Sequence, residues 1–204
     1  MRRIDFEAPT HRYRLNGQRA PGVTSVLRGA MQFAGVDPAV VEAACQRGTV
    51  VHKAVELINR GQRIDPASID VRIKPYLRQY GKFLTDTGFV AANAERFVSH
   101  VRLHYCGQLD MDGTFHRIKV PAAELELLDL KVTAALPTLT VGMQTAGYAG
   151  ALEDELGRAR RNRWCLWLRP DTYKLVPLTG ANDWTEFSAA LTIWRKFYAH
   201  GIEV

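Results

Sequence analysis

Apolar and polar positions along this chain follow two different periods. Between Val40 and Arg60 the apolar residues Val50, Val51, Ala54, Val55, Leu57 and Ile58 recur at helical spacing and stop at Gly61, which predicts a glycine-terminated helix. A second helix is expected from about Ser68 to Thr87, stopped by Gly88. The texture then changes. Phe89 to Asp110 reads as two strands, and Glu124 to Val132 as a third, rich in Leu and alternating in polarity. Thr138 to Leu156 returns to helical spacing and ends at Gly157. Trp164–Leu168 and Tyr173–Leu178 read as a strand hairpin across Pro170-Asp171. A last amphipathic helix is expected from Asp183 to His200, with Trp184, Phe187, Leu191, Trp194 and Phe197 or Tyr198 on one side. At the start, Arg12–Leu15 and Gln18–Ala20 flank Asn16-Gly17 as a small hairpin. Pro21-Gly22 breaks it, and Thr24 or Ser25 is placed to cap a short helix through Leu27.

The order helix, three strands, helix, strand hairpin, helix predicts an α/β fold with a mixed central sheet flanked by helices. The crossover from the third strand through Thr138–Leu156 to the fourth is expected to be parallel and right-handed. A length of 204 residues suits a single domain over 1–204, with the small N-terminal hairpin in about 1–30. With 47% hydrophobic and 24% charged residues, disorder and a disulfide-framed miniprotein are excluded. No charge occurs from Val132 to Leu152, long enough for a bilayer, but Pro137, Gln144 and several glycines and threonines dilute its hydrophobicity, and a transmembrane helix is rejected. The first residues turn charged before any apolar run, so no signal peptide and a cytoplasmic location are expected.

A formal charge of +6 favours polyanionic partners without requiring them. The three cysteines, Cys45, Cys106 and Cys165, form no CxxC pair, so neither a zinc ribbon nor an Fe–S cluster can be built from them, and buried reduced thiols are expected. The chemistry concentrates in Gly107-Gln108-Leu109-Asp110 and Asp129-Leu130-Lys131. Residues two apart on a strand share a face, so Asp129 and Lys131 project together, with Leu125 and Leu127 further back on that face. If the preceding strand lies alongside, Asp110 sits opposite Asp129. Two carboxylates at a strand end make a hard-oxygen site suited to Mg²⁺ or Mn²⁺, and a neighbouring lysine can orient a water or neutralise charge on an attacked phosphodiester. Taken alone, Asp-x-Lys also arises as an exposed charged pair of small consequence.

Two further phrases lie on helices: Gly48-Thr49-Val50-Val51-His52, where His52 and Glu56 share a face, and Gln144-Thr145-Ala146-Gly147-Tyr148, where Gln144 and Tyr148 do. In this order, GTVVH, GQLD, DLK and Gln-x-x-x-Tyr together resemble the RecB-type branch of the PD-(D/E)XK nuclease superfamily. The opening Tyr13–Gly17 and Pro21–Leu27, and the ending from Trp164 into the tryptophan-bearing helix, are similar to phage-encoded members, so the resemblance spans most of the chain. It implies a restriction-endonuclease-like core and a Mg²⁺- or Mn²⁺-dependent deoxyribonuclease, an exonuclease in phage or bacterial recombination, repair or processing. Asp110 and Asp129 match the acidic metal ligands, the Leu130 carbonyl a further ligand, Lys131 the catalytic lysine, and His52 an additional ligand or metal-proximal residue. Gln144 and Tyr148 match a helix motif that supports the lysine and contacts DNA. The four cysteines of Fe–S-bearing relatives are absent, so no Fe–S cofactor is expected. The partner implied is DNA and not a membrane. A homo-oligomer, a single-strand annealing or recombination partner protein, and a host-cytoplasmic location for a phage-encoded chain all accord with the resemblance. The alternative is a catalytically inactive nuclease-fold module that binds DNA or protein.

The remaining features are given plainer readings. The run Arg158, Arg160, Arg161 and Arg163 is either a phosphate-holding loop or a solvated one. Glu95 can approach the metal only if the register of its strand allows it. His100 and His104 lack the third and fourth partners of a zinc site. The tryptophans are read as core.

Overall fold

The computed structural model describes residues 2–28, 38–121, 125–157 and 162–199. Its largest feature is a five-stranded sheet in the order β4-β5-β6-β7-β8, formed by Val90–His100, Tyr105–Thr114, Glu126–Lys131, Asn162–Leu168 and Tyr173–Pro177. All neighbours are antiparallel except β6 and β7, which run parallel. Between those two strands the chain crosses over through α4 (Thr138–Leu156), the connection expected from the sequence. Helices α2 (Pro38–Asn59) and α3 (Lys74–Thr87) cover one face of the sheet; α4, the short α1 (Val23–Val26) and α5 (Asp183–Ala199) cover the other.

The alternation of β6 explains both layers. Leu128 and Leu130 join Val51, Val55, Tyr80 and Phe83 in the core under α2 and α3. Leu127 faces the other way and joins Leu109, Tyr148, Leu152 and Phe187. Both faces of this central strand are covered, so every residue from Glu126 to Leu130 is buried, the charged Glu126 and Asp129 included. Helix α5 lies close on α4 because Gly147 and Gly150 leave room: a Cβ would come within 2.8 Å of Phe187 and 2.2 Å of Trp184, respectively.

The N-terminal hairpin is one strand larger than expected. β1 (Ile4–Glu7) pairs with β2 (Arg12–Leu15), which pairs with β3 (Gln18–Ala20). Its apolar side, Tyr13, Leu15 and Ala20, packs on Cys106 of β5. Gly22, not Thr24 or Ser25, takes the N-cap of α1, and both hydroxyl residues lie inside the helix. Helix α3 begins six residues later than the expected Ser68. Asp65 and Asp70 capture the backbone N–H groups of Ala67 and Arg72 with their side chains, at 2.9 and 2.8 Å, and hold that stretch in turns. The expected strand start at Glu124 and helix end at His200 lie outside the described residues, as does most of the arginine run. Arg163, which is described, donates to the Gly142 carbonyl at 2.8 Å and pairs with Asp183 at 2.9 Å, so it ties α4 to α5. Among the described residues no helix is long and apolar enough to cross a membrane.

Candidate active site

The site forms where two strands lose their regular pairing. Antiparallel partners run without a gap from Val98↔Gly107 to Arg96↔Leu109 and resume at Ala94↔Met111, leaving Glu95 and Asp110 facing each other outside the ladder. Glu95 has a left-handed backbone, φ 52°, which costs a residue with a Cβ about 1–2 kcal/mol. The pleat slips at this level in both strands. Arg96 and Asn93, three residues apart, both reach Asp112, and Leu109 faces α4 while Met111 faces α3. Freed from the pleat, the Glu95 and Asp110 side chains turn toward His52 of α2.

His52 Nδ1 lies 3.4 Å from Asp110 Oδ1 and 3.9 Å from a Glu95 oxygen. Among the described residues, these three donors form the one group of potential metal ligands whose atoms all lie within 4.8 Å of one another. Helix α2 holds the imidazole there because Val51 and Val55, flanking it, are buried in the core. Glu56, which shares a helix face with His52 in sequence, pairs instead with Lys53 at 2.7 Å and Arg60 at 2.8 Å.

Asp110 also bridges to β6. The β5–β6 ladder ends at Met111↔Leu128, and one step further on the Leu130 N–H donates to Asp110 Oδ2 at 2.6 Å. In an extended strand the N–H and C=O of one residue point to the same side, so the Leu130 carbonyl shares the β6 edge that faces Asp110. Asp129 stands outside the trio. It is 1% exposed and forms an ion pair with Lys131, whose Nζ lies 2.7 Å from its Oδ2, and no other donor reaches either carboxylate oxygen. Lys131 donates to Gln144 Oε1 at 3.1 Å, and Gln144 Nε2 donates to the Tyr148 hydroxyl at 3.2 Å. Tyr148 is 4% exposed, its ring against Gly107, where a Cβ would approach within 2.6 Å. The glycine of Gly-Gln-Leu-Asp is therefore the space in which the tyrosine sits.

Charge is concentrated here. Burial opposes the imidazolium of His52, but the Asp110 carboxylate beside it overrides this and raises its pKa to about 10. Burial also opposes the charge on Asp110, yet His52, Lys131 and the Leu130 N–H hold its carboxyl below the usual range. Burial dominates at Asp129, which is pushed up to about 6 despite Lys131. Glu95 is raised, first by burial. The Lys131 ammonium loses solvation, but Asp129 and Asp110 hold its pKa above the ordinary lysine value. A cleft of about 200 Å³ opens over this ground, lined by His52, Glu95, Asp110, Lys131, Gln144 and Tyr148 with His11, Tyr13 and Thr24 on its rim.

The structure thus brings His52 to Asp110 and arranges Asp129, Lys131, Gln144 and Tyr148 as a second, contiguous chain, with Leu130 between the two. Glu95 is the residue that sequence reasoning left unplaced; no motif marks it, because its position depends on the strand irregularity. His100 and His104 have separate partners, the Leu103 N–H and the Arg19 carbonyl. The tryptophan settings differ: Trp164 and Trp167 donate to Glu126 and Thr133, Trp184 stacks on His100, and Trp194 is half-buried against the α4–α5 core.

No known family and no curated protein matches the sequence. Among solved structures the chain is similar to an alkaline exonuclease (LHK-Exo) from Laribacter hongkongensis, at 14% identity over 89% of this chain and 92% of that one. The TM-score is 0.33, a likeness that carries no argument about function.

Proposed function

We propose that the chain is a nuclease domain that hydrolyses the phosphodiester bonds of DNA with the help of divalent metal ions. One observation carries this reading: a His-Glu-Asp trio of donor atoms stands, across Leu130, from a partly buried lysine paired at 2.7 Å with a buried carboxylate. The donor set fits a hard cation. His52, Glu95 and Asp110, with the Leu130 carbonyl and Asp129 beside them, offer oxygens and one imidazole and no thiolate, the chemistry of Mg²⁺ or Mn²⁺. Asp129 points the same way: this buried carboxylate is served by Lys131 alone, and a cation would add to the compensation its burial calls for.

A bound cation there supplies Lewis acidity to a phosphoryl oxygen and lowers the pKa of an attacking water. The chain's own residues do the rest. Lys131 holds a fixed positive charge beside the carboxylates, where negative charge grows on the phosphorane-like transition state. Gln144 fixes the lysine through its Oε1, and Tyr148 fixes Gln144, so Tyr148 acts here as a positioning residue as well as a candidate DNA contact. Water attacks phosphorus and gives up a proton to solvent or to a basic group in the cleft, the bond to the sugar oxygen breaks, and the leaving oxygen takes a proton from solvent or from a group in the cleft. The finer reading, an exonuclease of recombination, repair or DNA processing, rests on the motif resemblance alone.

The test is digestion of linear and closed circular DNA with and without Mg²⁺ or Mn²⁺. Wild type is expected to degrade DNA only with metal, and Lys131→Met to lose about 10²–10³-fold in rate while keeping the circular dichroism spectrum of the folded protein. Digestion by Lys131→Met and Asp110→Asn at the wild-type rate would overturn the proposal.

A further inference from the structure

We infer that the groove between the N-terminal sheet and α5 is a second nucleic-acid subsite. It takes a single-stranded stretch of substrate, with phosphates on Arg12, Arg19 and Arg28 and a base on the Arg19–Tyr198–Trp194 stack. The groove holds about 200 Å³, and none of the residues lining it is acidic. It is continuous with the catalytic cleft, because His11 and Tyr13 line both.

Three observations favour a flexible strand as the occupant. The exposed face of the small sheet places Arg14 directly opposite Arg19, with Arg12 two residues along. Asp5 and Glu7 of β1 stand opposite Arg14 and Arg12, but Arg19, on the outer strand, has only the like charge of Arg14 across from it, a pairing that does nothing for folding and favours an anion there. Next, the aromatic wall is layered: the Arg19 guanidinium lies 4.7 Å over the Tyr198 ring, which stacks on Trp194 at 4.8 Å and 11°. Tyr198 is 41% exposed, so the stack ends at the surface of the groove. A basic groove with stacked aromatics is how proteins hold single strands, each phosphate attracting cations and each base presenting a face to stack. Finally, the space is small and open, which suits part of a long ligand better than an enclosed small molecule.

The identity of the strand as DNA rests on the nuclease reading. The experiment separates the two. Binding of a fluorescein-labelled oligothymidylate of about 12 nucleotides is followed by anisotropy in EDTA, using the full chain. Tyr198→Ala is expected to weaken binding at least fivefold. The double variant Arg12→Ala/Arg19→Ala is expected to lower the slope of log affinity against log salt by about 1.4. All three positions are surface positions, and unchanged thermal unfolding checks the fold. The same variants should hydrolyse bis(p-nitrophenyl) phosphate with Mn²⁺ at the wild-type rate, since that ester is too small to reach the groove. Unchanged oligonucleotide binding in both variants overturns the subsite, and so does equal loss of binding to a blunt duplex, which has no base free to stack. If wild type binds the oligonucleotide through these residues yet hydrolyses nothing, the subsite stands and the nuclease reading falls.

Discussion

The carboxylate of Asp110 accepts the Leu130 N–H at 2.6 Å, one step beyond the last paired residues of β5 and β6. The same side chain faces His52 at 3.4 Å. It therefore closes the end of a ladder and supplies a candidate metal ligand. The two roles can be separated. Asp110→Asn keeps an acceptor for Leu130 but gives up the charge, whereas Asp110→Ala gives up both. In EDTA at neutral pH the Asn variant should unfold below wild type, because the charge that His52 and Lys131 favour is gone, and Ala lower still. With Mn²⁺ at about 100 times its Kd, wild type should gain about 5–10 °C and neither variant should. A full Mn²⁺ shift in Asp110→Asn would remove Asp110 from the ligand set.

Lys131, Gln144 and Tyr148 form a relay of positions, not of protons. Lys131 donates to Gln144, and Gln144 donates to Tyr148. Gln144→Leu leaves the lysine charged but loose, so kcat should fall about tenfold or more with KM little changed, as expected when an interaction made in the transition state is lost. Gln144→Glu gives Lys131 an acceptor again and should recover part of that loss. A rise in KM alone, with kcat unchanged, would place Gln144 in substrate binding instead.

Much of this was legible in the sequence because period and chemistry coincide. The alternation of Leu127, Leu128, Asp129, Leu130 and Lys131 located a buried strand with one polar face, and Gly88 and Gly157 ended their helices in the left-handed conformation. What failed to show has a physical reason each time. β1 is short and half-polar, and it exists because Ile4–Glu7 pairs along β2. Turns at Asp65 and Asp70 delayed α3 through side-chain bonds that periodicity does not register. Glu95 became a candidate ligand through a slip in the pleat, a property of two strands together that neither strand's residues display alone. Asp110 stands one register step past Met111↔Leu128, on the level of Asp129, but the two carboxylates have different nearest partners: His52 and Glu95 for Asp110, Lys131 for Asp129.

Away from the cleft, His100 supplies a pH dependence of known sign. Its Nδ1 accepts the Leu103 N–H at 3.2 Å, and its ring stacks on Trp184. Burial lowers its pKa, and Arg102, Arg2 and Arg195 add to this, while Asp154 at 3.5 Å opposes it. Asp154 is itself engaged by the Val101 N–H and by Arg2 and Arg102. A histidine whose folded pKa lies below its unfolded value contributes stability above about pH 6.5 and loses it as pH falls. Urea midpoints measured from pH 7.5 to 5 should therefore converge for wild type and His100→Gln. Parallel curves would mean that the ring stays neutral or protonated alike in both states.

Asp129 makes the reverse prediction, and a stronger one. Its pKa of about 6 already includes the attraction of Lys131, so in the metal-free protein the ionised carboxylate is a net burden against the unfolded chain. A raised folded pKa means stability that is complete below about pH 4 and lost as pH rises through 6, on the order of 3 kcal/mol for this group. His52 acts in the same direction at higher pH, between about 6.5 and about 10, so the variant must isolate Asp129. Asp129→Asn keeps the shape and removes the charge. In EDTA at pH 7.5 it should melt above wild type, and the gap should close by pH 4. With Mn²⁺ and DNA it should be inactive, trading function for stability as a strained site does. If Asp129→Asn melts below wild type at pH 7.5, the Lys131 ion pair is net stabilising and the burden assigned to this carboxylate is wrong.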